Sequence, residues 1–158
     1  MKINWKTAQK GESLIEALGA LAIVSIVITA VATLVTSSLS NAQYNEDQTL
    51  ATKYAQQGVE SVRQIRNTNY ATFRTYNGLY CFGKGQTTLG TPRPACTTPN
   101  TDSFIRTVTI QQTPGCAANV ARIIVEVSFT DGKCSGNSYC HRQTHSSCLS
   151  TVNPVQGL

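Results

Sequence analysis

From Ala17 to Val35 the chain runs 19 residues without a charge, and no charged side chain returns until Glu46. A helix rises about 1.5 Å per residue, so roughly 20 such residues cross a ~30 Å hydrocarbon core. The stretch therefore predicts one membrane-spanning helix. Within it Ala22, Ser25, Thr29, Ala32 and Thr36 recur at spacings of three and four, a stripe of small or weakly polar side chains along one face. Leu21, Ile23, Val24, Ile26, Val27 and Ile28 supply bulk elsewhere. Small residues let helix backbones approach closely and their hydroxyls can bond to a neighbour, which makes the stripe a candidate for helix packing. Small residues are also common in any span.

Beyond the span the apolar period persists in a more polar setting. Leu50, Tyr54, Gly58, Val62 and Ile65, broadened by Ala51, Ala55 and Val59, form one apolar face of an amphipathic helix. Glu60 and Arg63 can pair on its solvated side. The arginines of "RQIRNTNY" suit a helix C-terminus, and Asn67-Thr68-Asn69 offers the stop. No proline occurs before Pro92, so a single helix from Glu12 to about Arg66 is expected, ~80 Å long. Its apolar face needs a partner. Downstream, Ile123, Val125, Val127 and Phe129 alternate with Ile124, Glu126, Ser128 and Thr130, the period of a half-buried strand, and Asp131-Gly132 breaks the run with a turn. "FIRTVTIQ" (104–111) reads as the preceding strand and "HSSCLSTV" (145–152) as the following one. Residues 67–103, rich in Gly, Thr, Pro and Asn, read as a surface loop.

The formal charge of +5 does not alter this picture. Lys2, Lys6 and Lys10 precede Gly11, and without residues 1–11 only ten basic side chains face eight acidic ones. No basic cluster remains as a nucleic-acid footprint. The lysines instead predict an N-terminus on the cytoplasmic side of the span. All six cysteines (Cys81, Cys96, Cys116, Cys134, Cys140, Cys148) follow the span, as expected of a disulfide-stapled domain in an oxidising compartment. Many pairings are possible. The short loops favour Cys81–Cys96 and Cys134–Cys140, with Cys116–Cys148 joining the sheet. Cys134, Cys140, His141, His145 and Cys148 also fall close together, but they lack a Cys-x-x-Cys knuckle, and His145 and Cys148 on one strand point to opposite faces. The expectation is disulfides and no metal or cofactor. Enzymatic motifs are not evident: no phosphate loop or nucleophile elbow occurs, and Asp102, Glu126 and Asp131 are the only acids after Glu60.

Three processing fates are open to the N-terminal segment: removal as a secretory signal, with Ser40-Asn41-Ala42 as the cleavage site; retention as an uncut anchor; or cleavage ahead of the apolar run. The residues "KGESLIEALGALAIV" bear on the third. A basic leader ending in Gly11, then Glu12, then Ser13-Leu14-Ile15-Glu16 opening an uninterrupted span, resembles the class III signal of type IV pilins and pseudopilins. The resemblance covers roughly residues 1–66. It implies prepilin peptidase cleavage between Gly11 and Glu12 and methylation of the new α-amine, although Glu12 stands where the family most often has phenylalanine. It also implies a role in assembly for Glu16. The freed amine, with a reference pKa of about 8, is mostly protonated at neutral pH, and an acid in low dielectric needs such a partner. In the family's arrangement that amine belongs to a neighbouring subunit. The alternatives are snorkelling to the interface and pairing with the chain's own amine one turn away.

The resulting expectation is an α+β, pilin-like fold with a long N-terminal helix on a small antiparallel sheet and a disulfide-stapled head. Residues 1–11 would be the leader, 12–40 the transmembrane or filament-core helix, 41–67 the head's amphipathic helix, 68–103 the variable loop and 104–158 the sheet. The expected partners are other pilin subunits, the peptidase and, before assembly, the cytoplasmic membrane; nucleic acid could be met only through an assembled filament outside that membrane. The competing class is an anchored or secreted disulfide-rich binding domain that does not polymerise.

Overall fold

The computed structural model describes residues 12–112, 116–136 and 138–151, with side chains from Leu14 onward. The leader, Gly11 and the side chain of Glu12 lie outside the described residues, as does Val152 of the last expected strand. The chain divides into two compact units, residues 1–43 and 44–158. In the first, the described residues are entirely helical. They belong to α1 (Glu12–Thr68), whose most apolar 18-residue window has a mean hydropathy of 2.6 with none of it buried. By length and composition it can cross a membrane.

The second unit holds the rest of α1, the short α2 (Tyr70–Phe73) and a four-stranded antiparallel sheet in the order β1 (Gly78–Cys81), β2 (Ile105–Gln111), β3 (Val120–Phe129), β4 (His141–Ser150). The helix and sheet share one core. Ala51, Ala55, Val59, Val62 and Ile65 from α1 are buried with Val108 and Ile110 of β2 and with Ala121, Ile123, Val125, Val127 and Phe129 of β3. The period-two alternation of β3 thus places its apolar set against the helix and leaves Ile124, Glu126 and Ser128 half-buried on the outer face.

The centre of the helix face is built from small residues, and this sets how near it comes to the sheet. A Cβ added at Gly58 would lie 2.7 Å from Cγ1 of Val125, a fully buried and β-branched side chain with little freedom to turn. Alanine would gain about 1 kcal/mol of helix propensity but overpack the contact by about 1–3 kcal/mol. Gly58→Ala is therefore expected to lower the thermal midpoint by a few degrees. A midpoint that rises would show that the sheet can yield there.

Two elements in the expected loop had no legible period. The tripeptide expected to stop the helix does so at Thr68, but Asn69 then caps α2, its Oδ1 accepting from the Thr72 N–H at 3.0 Å. That turn buries Phe73 completely. β1 is only four residues long and buries Tyr80. β4 begins at His141, four residues before the expected start, because it pairs with β3 through its backbone and buries only Leu149. Arg63 and Arg66 reach it from α1, donating to Ser147 Oγ at 3.2 Å and to the Ser150 carbonyl at 3.3 Å. Arg63 also pairs with Glu60 at 2.7 Å. Three disulfides close the head: Cys81–Cys96, Cys116–Cys148 and Cys134–Cys140.

Candidate assembly segment and the polar clusters of the head

The first helical stretch is an apolar surface that no other described residue of the chain buries. Ile15, Leu18, Leu21, Ile23, Ile26 and Leu34 are all more than half exposed, a state that water would not tolerate for a patch this large. Glu16 is exposed at the start of it. At 100° per residue, Ala22, Ser25, Thr29, Ala32 and Thr36 fall within an arc of about 80°, and Glu16 lies roughly 160° from its middle. The carboxylate instead shares its face with Ile23, Val27 and Leu34. The acid and the small-residue stripe therefore lie on nearly opposite faces of the helix, which sequence spacing alone had left unstated.

The hydroxyls of the stripe are turned onto their own helix. Ser25 Oγ donates to the Ala22 carbonyl at 2.8 Å, Thr29 Oγ1 to Ile26 at 2.9 Å and to Ser25 at 3.1 Å, and Thr36 Oγ1 to Thr33 at 3.0 Å. Each proton is satisfied without a neighbour, so the stripe can sit in hydrocarbon at little penalty. What it offers to another helix is closeness of approach.

Besides Glu60, which pairs with Arg63, three acids of the head sit in separate polar clusters. Asp102, at φ +52° in the turn before β2, accepts from the Tyr54 hydroxyl at 2.6 Å and from Lys84 Nζ at 3.1 Å. The Tyr54 bond and then Lys84 hold the Asp102 carboxyl below the usual carboxylate range, and the same contacts raise Tyr54 and Lys84. Glu126 pairs with Arg142 across the outer face of the sheet at 3.3 Å. Asp131 lies 3.1 Å from His141 Nε2 and accepts the Lys133 N–H at 2.9 Å. Burial works to raise its carboxyl, but the Lys133 N–H and His141 outweigh it and leave it lowered. Each acid thus ties a turn or a strand in place.

The polar residue that sequence reasoning missed is Arg106. It occupies an inward position of β2, in register with Val108 and Ile110, and is 3% exposed. Its guanidinium donates to the carbonyls of Phe82 at 2.8 Å, Gly83 at 2.6 Å and Tyr54 at 3.3 Å, and lies 5.0 Å from the centre of the Phe82 ring. Burial lowers its pKa. A signal was present: a charge at a core position of an otherwise clean alternation.

Of the residues considered for metal binding, the fold gathers Cys134, Cys140 and His141 with Asp131, their ligand atoms all within 4.8 Å of one another. Cys148 is bonded to Cys116, and His145 lies four residues along β4 from His141. Cys134 and Cys140 are bonded to each other, so this cluster is a staple beside an acid–imidazole pair.

Residues 6–32 match the family model described as the prokaryotic N-terminal methylation motif, the class III prepilin signal. No curated protein and no solved structure matches the chain. A methylation motif leading into a membrane-capable helix, with an α+β head closed by disulfides, is a pilin-like arrangement. More particularly, the motif supports a type IV pilin- or pseudopilin-like precursor with a single apolar anchor, a class of structural subunits rather than enzymes.

Proposed function

We propose that this chain is a structural subunit of a type IV pilus-like filament. Its precursor sits in the cytoplasmic membrane with the lysine-bearing leader inside and the cysteine-bearing head outside. Prepilin peptidase cuts between Gly11 and Glu12, and the mature subunit assembles with other pilin subunits through its N-terminal helix. The observation that carries this reading is that the methylation motif, residues 6–32, runs into the N-terminal stretch of α1, whose large apolar side chains from Leu14 to Leu39 are all more than half exposed. In the precursor lipid covers that surface; in a filament, neighbouring helices do. Glu16 pairs with the freed amine of the adjacent subunit, and the stripe from Ala22 to Thr36 lets another helix approach on the far side.

The test is the mass of the mature N-terminus, read from protein purified out of membranes and out of sheared surface material. Glu12 as first residue, with or without one added methyl, is expected in both. A start at Gln43 would mark a secreted head, and a start at Met1 an uncut anchor; either outcome sinks the filament reading.

A further inference from the structure

We propose that the β3–β4 loop is a redox-gated zinc site. In the oxidised protein the Cys134–Cys140 bond closes the loop; after reduction, Asp131, Cys134, Cys140 and His141 hold a divalent zinc ion that closes it instead. The four ligand atoms already lie within 4.8 Å of one another. Zinc takes thiolate sulfur at about 2.3 Å and nitrogen or oxygen at about 2.0–2.2 Å, which places tetrahedral ligands roughly 3.3–3.8 Å apart. The two sulfurs must part from bonding distance to van der Waals distance, and the carboxylate and imidazole, 3.1 Å apart, must open by a few tenths of an ångström.

The site is supported on every side but one. Asp131 is oriented by the Lys133 N–H at 2.9 Å, and its own carbonyl accepts the Cys134 N–H at 3.2 Å. The His141 ring is set between Tyr44, 5.0 Å away and edge-on, and Phe129, 5.2 Å away. Such outer contacts keep a ligand in one orientation. His141 Nε2 is buried and makes no aligned hydrogen bond among the described residues, although Asp131 Oδ1 lies 3.1 Å from it. The ring nitrogen thus faces the carboxylate without a well-directed bond, an arrangement that an ion shared between them would satisfy. The open side is the disulfide: Cys140 is exposed and Cys134 half-buried, so an external dithiol can reach it.

The exchange balances. A dithiol attacks the Cys134–Cys140 bond, is itself oxidised to a disulfide and leaves two cysteine thiols. Zinc binding displaces two thiol protons and takes the neutral imidazole through Nε2 and one carboxylate oxygen. A disulfide oxidant reverses both steps by exchange: it is reduced to two thiols, the Cys134–Cys140 bond re-forms and the metal is released. The loop is suited to this, since its bridge spans a sequence separation of 6 against 15 and 32 for the others. The constraint on the unfolded chain that is given up when it opens is the smallest of the three.

The full chain in detergent would be reduced with dithiothreitol, freed of reductant under anaerobic conditions and titrated with zinc alone, beside the Asp131→Asn/His141→Ala double variant treated identically. The reduced natural chain should bind about one equivalent more than the variant, or bind it more than about 100-fold tighter, beyond what outer contacts account for. Zinc should also protect Cys134 and Cys140 from iodoacetamide, read by peptide mass, and the oxidised chain should take up none at this loop. Equal binding by chain and variant, equal binding before and after reduction, or the absence of protection because the reduced head has unfolded, would each overturn the proposal.

Discussion

Replacing Glu16 by alanine is expected to leave the precursor in the membrane, processed and stable, while its incorporation into filaments falls by at least about 100-fold. Insertion depends on the uncharged run from Ala17 to Val35, and losing a carboxylate at its edge makes insertion easier. On the proposed function, assembly differs because the subunit would leave lipid for a bundle that buries the amine freed at Glu12. Breaking a buried ion pair by deleting one member costs about 3–5 kcal/mol, and each 1.4 kcal/mol is a factor of ten. Glu16→Gln separates charge from shape: it keeps the size and one acceptor but cannot neutralise an ammonium, so it should fail nearly as badly. The measurement is the ratio of subunit in sheared filaments to subunit in membranes, by immunoblot. Normal incorporation of the alanine variant would remove Glu16 from assembly. Because the small-residue stripe lies roughly 160° away around the helix, enlarging Ala22 or Ala32 should disturb a different contact and give a separable defect.

How much of this was legible beforehand follows from which forces were local. The span, the amphipathic face from Leu50 to Ile65 and the alternation of β3 are each written as a repeat, because one continuous partner (lipid or core) reads every third, fourth or second residue. Cys81–Cys96 and Cys134–Cys140 were favoured because their loops are short. α2 and β1 were hidden: four residues are too few to show a period, and what holds them is remote, Phe73 in the core and the β1–β2 pairing. β4 was half visible, since an edge strand that buries only Leu149 carries its structure in backbone bonds and not in side-chain pattern. At the assembly segment the residues were legible but their faces were not, until the helix register set Glu16 apart from the stripe. Arg106 was present in the expected strand, yet its alternation was read for apolar residues alone.

That arginine carries the second large effect, and its sign has to be decided between opposing terms. A guanidinium with no carboxylate beside it is costly to bury, so its removal relieves a desolvation penalty. Against this stand three carbonyls it satisfies at 2.6–3.3 Å, each bond to a charged donor contributing about 1.5–3 kcal/mol and each abandoned acceptor costing about 1–3 kcal/mol. The three carbonyls come from two places, α1 at Tyr54 and the chain just after β1 at Phe82 and Gly83, while the Asn100 amide brackets the Arg106 backbone at 2.8 and 2.9 Å. One side chain therefore pins the helix, the first strand's exit and the returning loop to β2. Arg106→Met, apolar and of similar length, should destabilise the head by about 3 kcal/mol, a large part of the 5–15 kcal/mol a domain commonly has. Arg106→Lys should recover little, because an ammonium cannot reach acceptors arranged around a planar fork. Hydrogen exchange locates the loss: protection should fall first at Phe82, Lys84 and Thr101, whose amides bond within this knot, while β3 and β4 hold until global unfolding. A methionine variant as stable as the natural chain would mean that the desolvation term had won, and that the knot is held by Asn100 and the Cys81–Cys96 bridge alone.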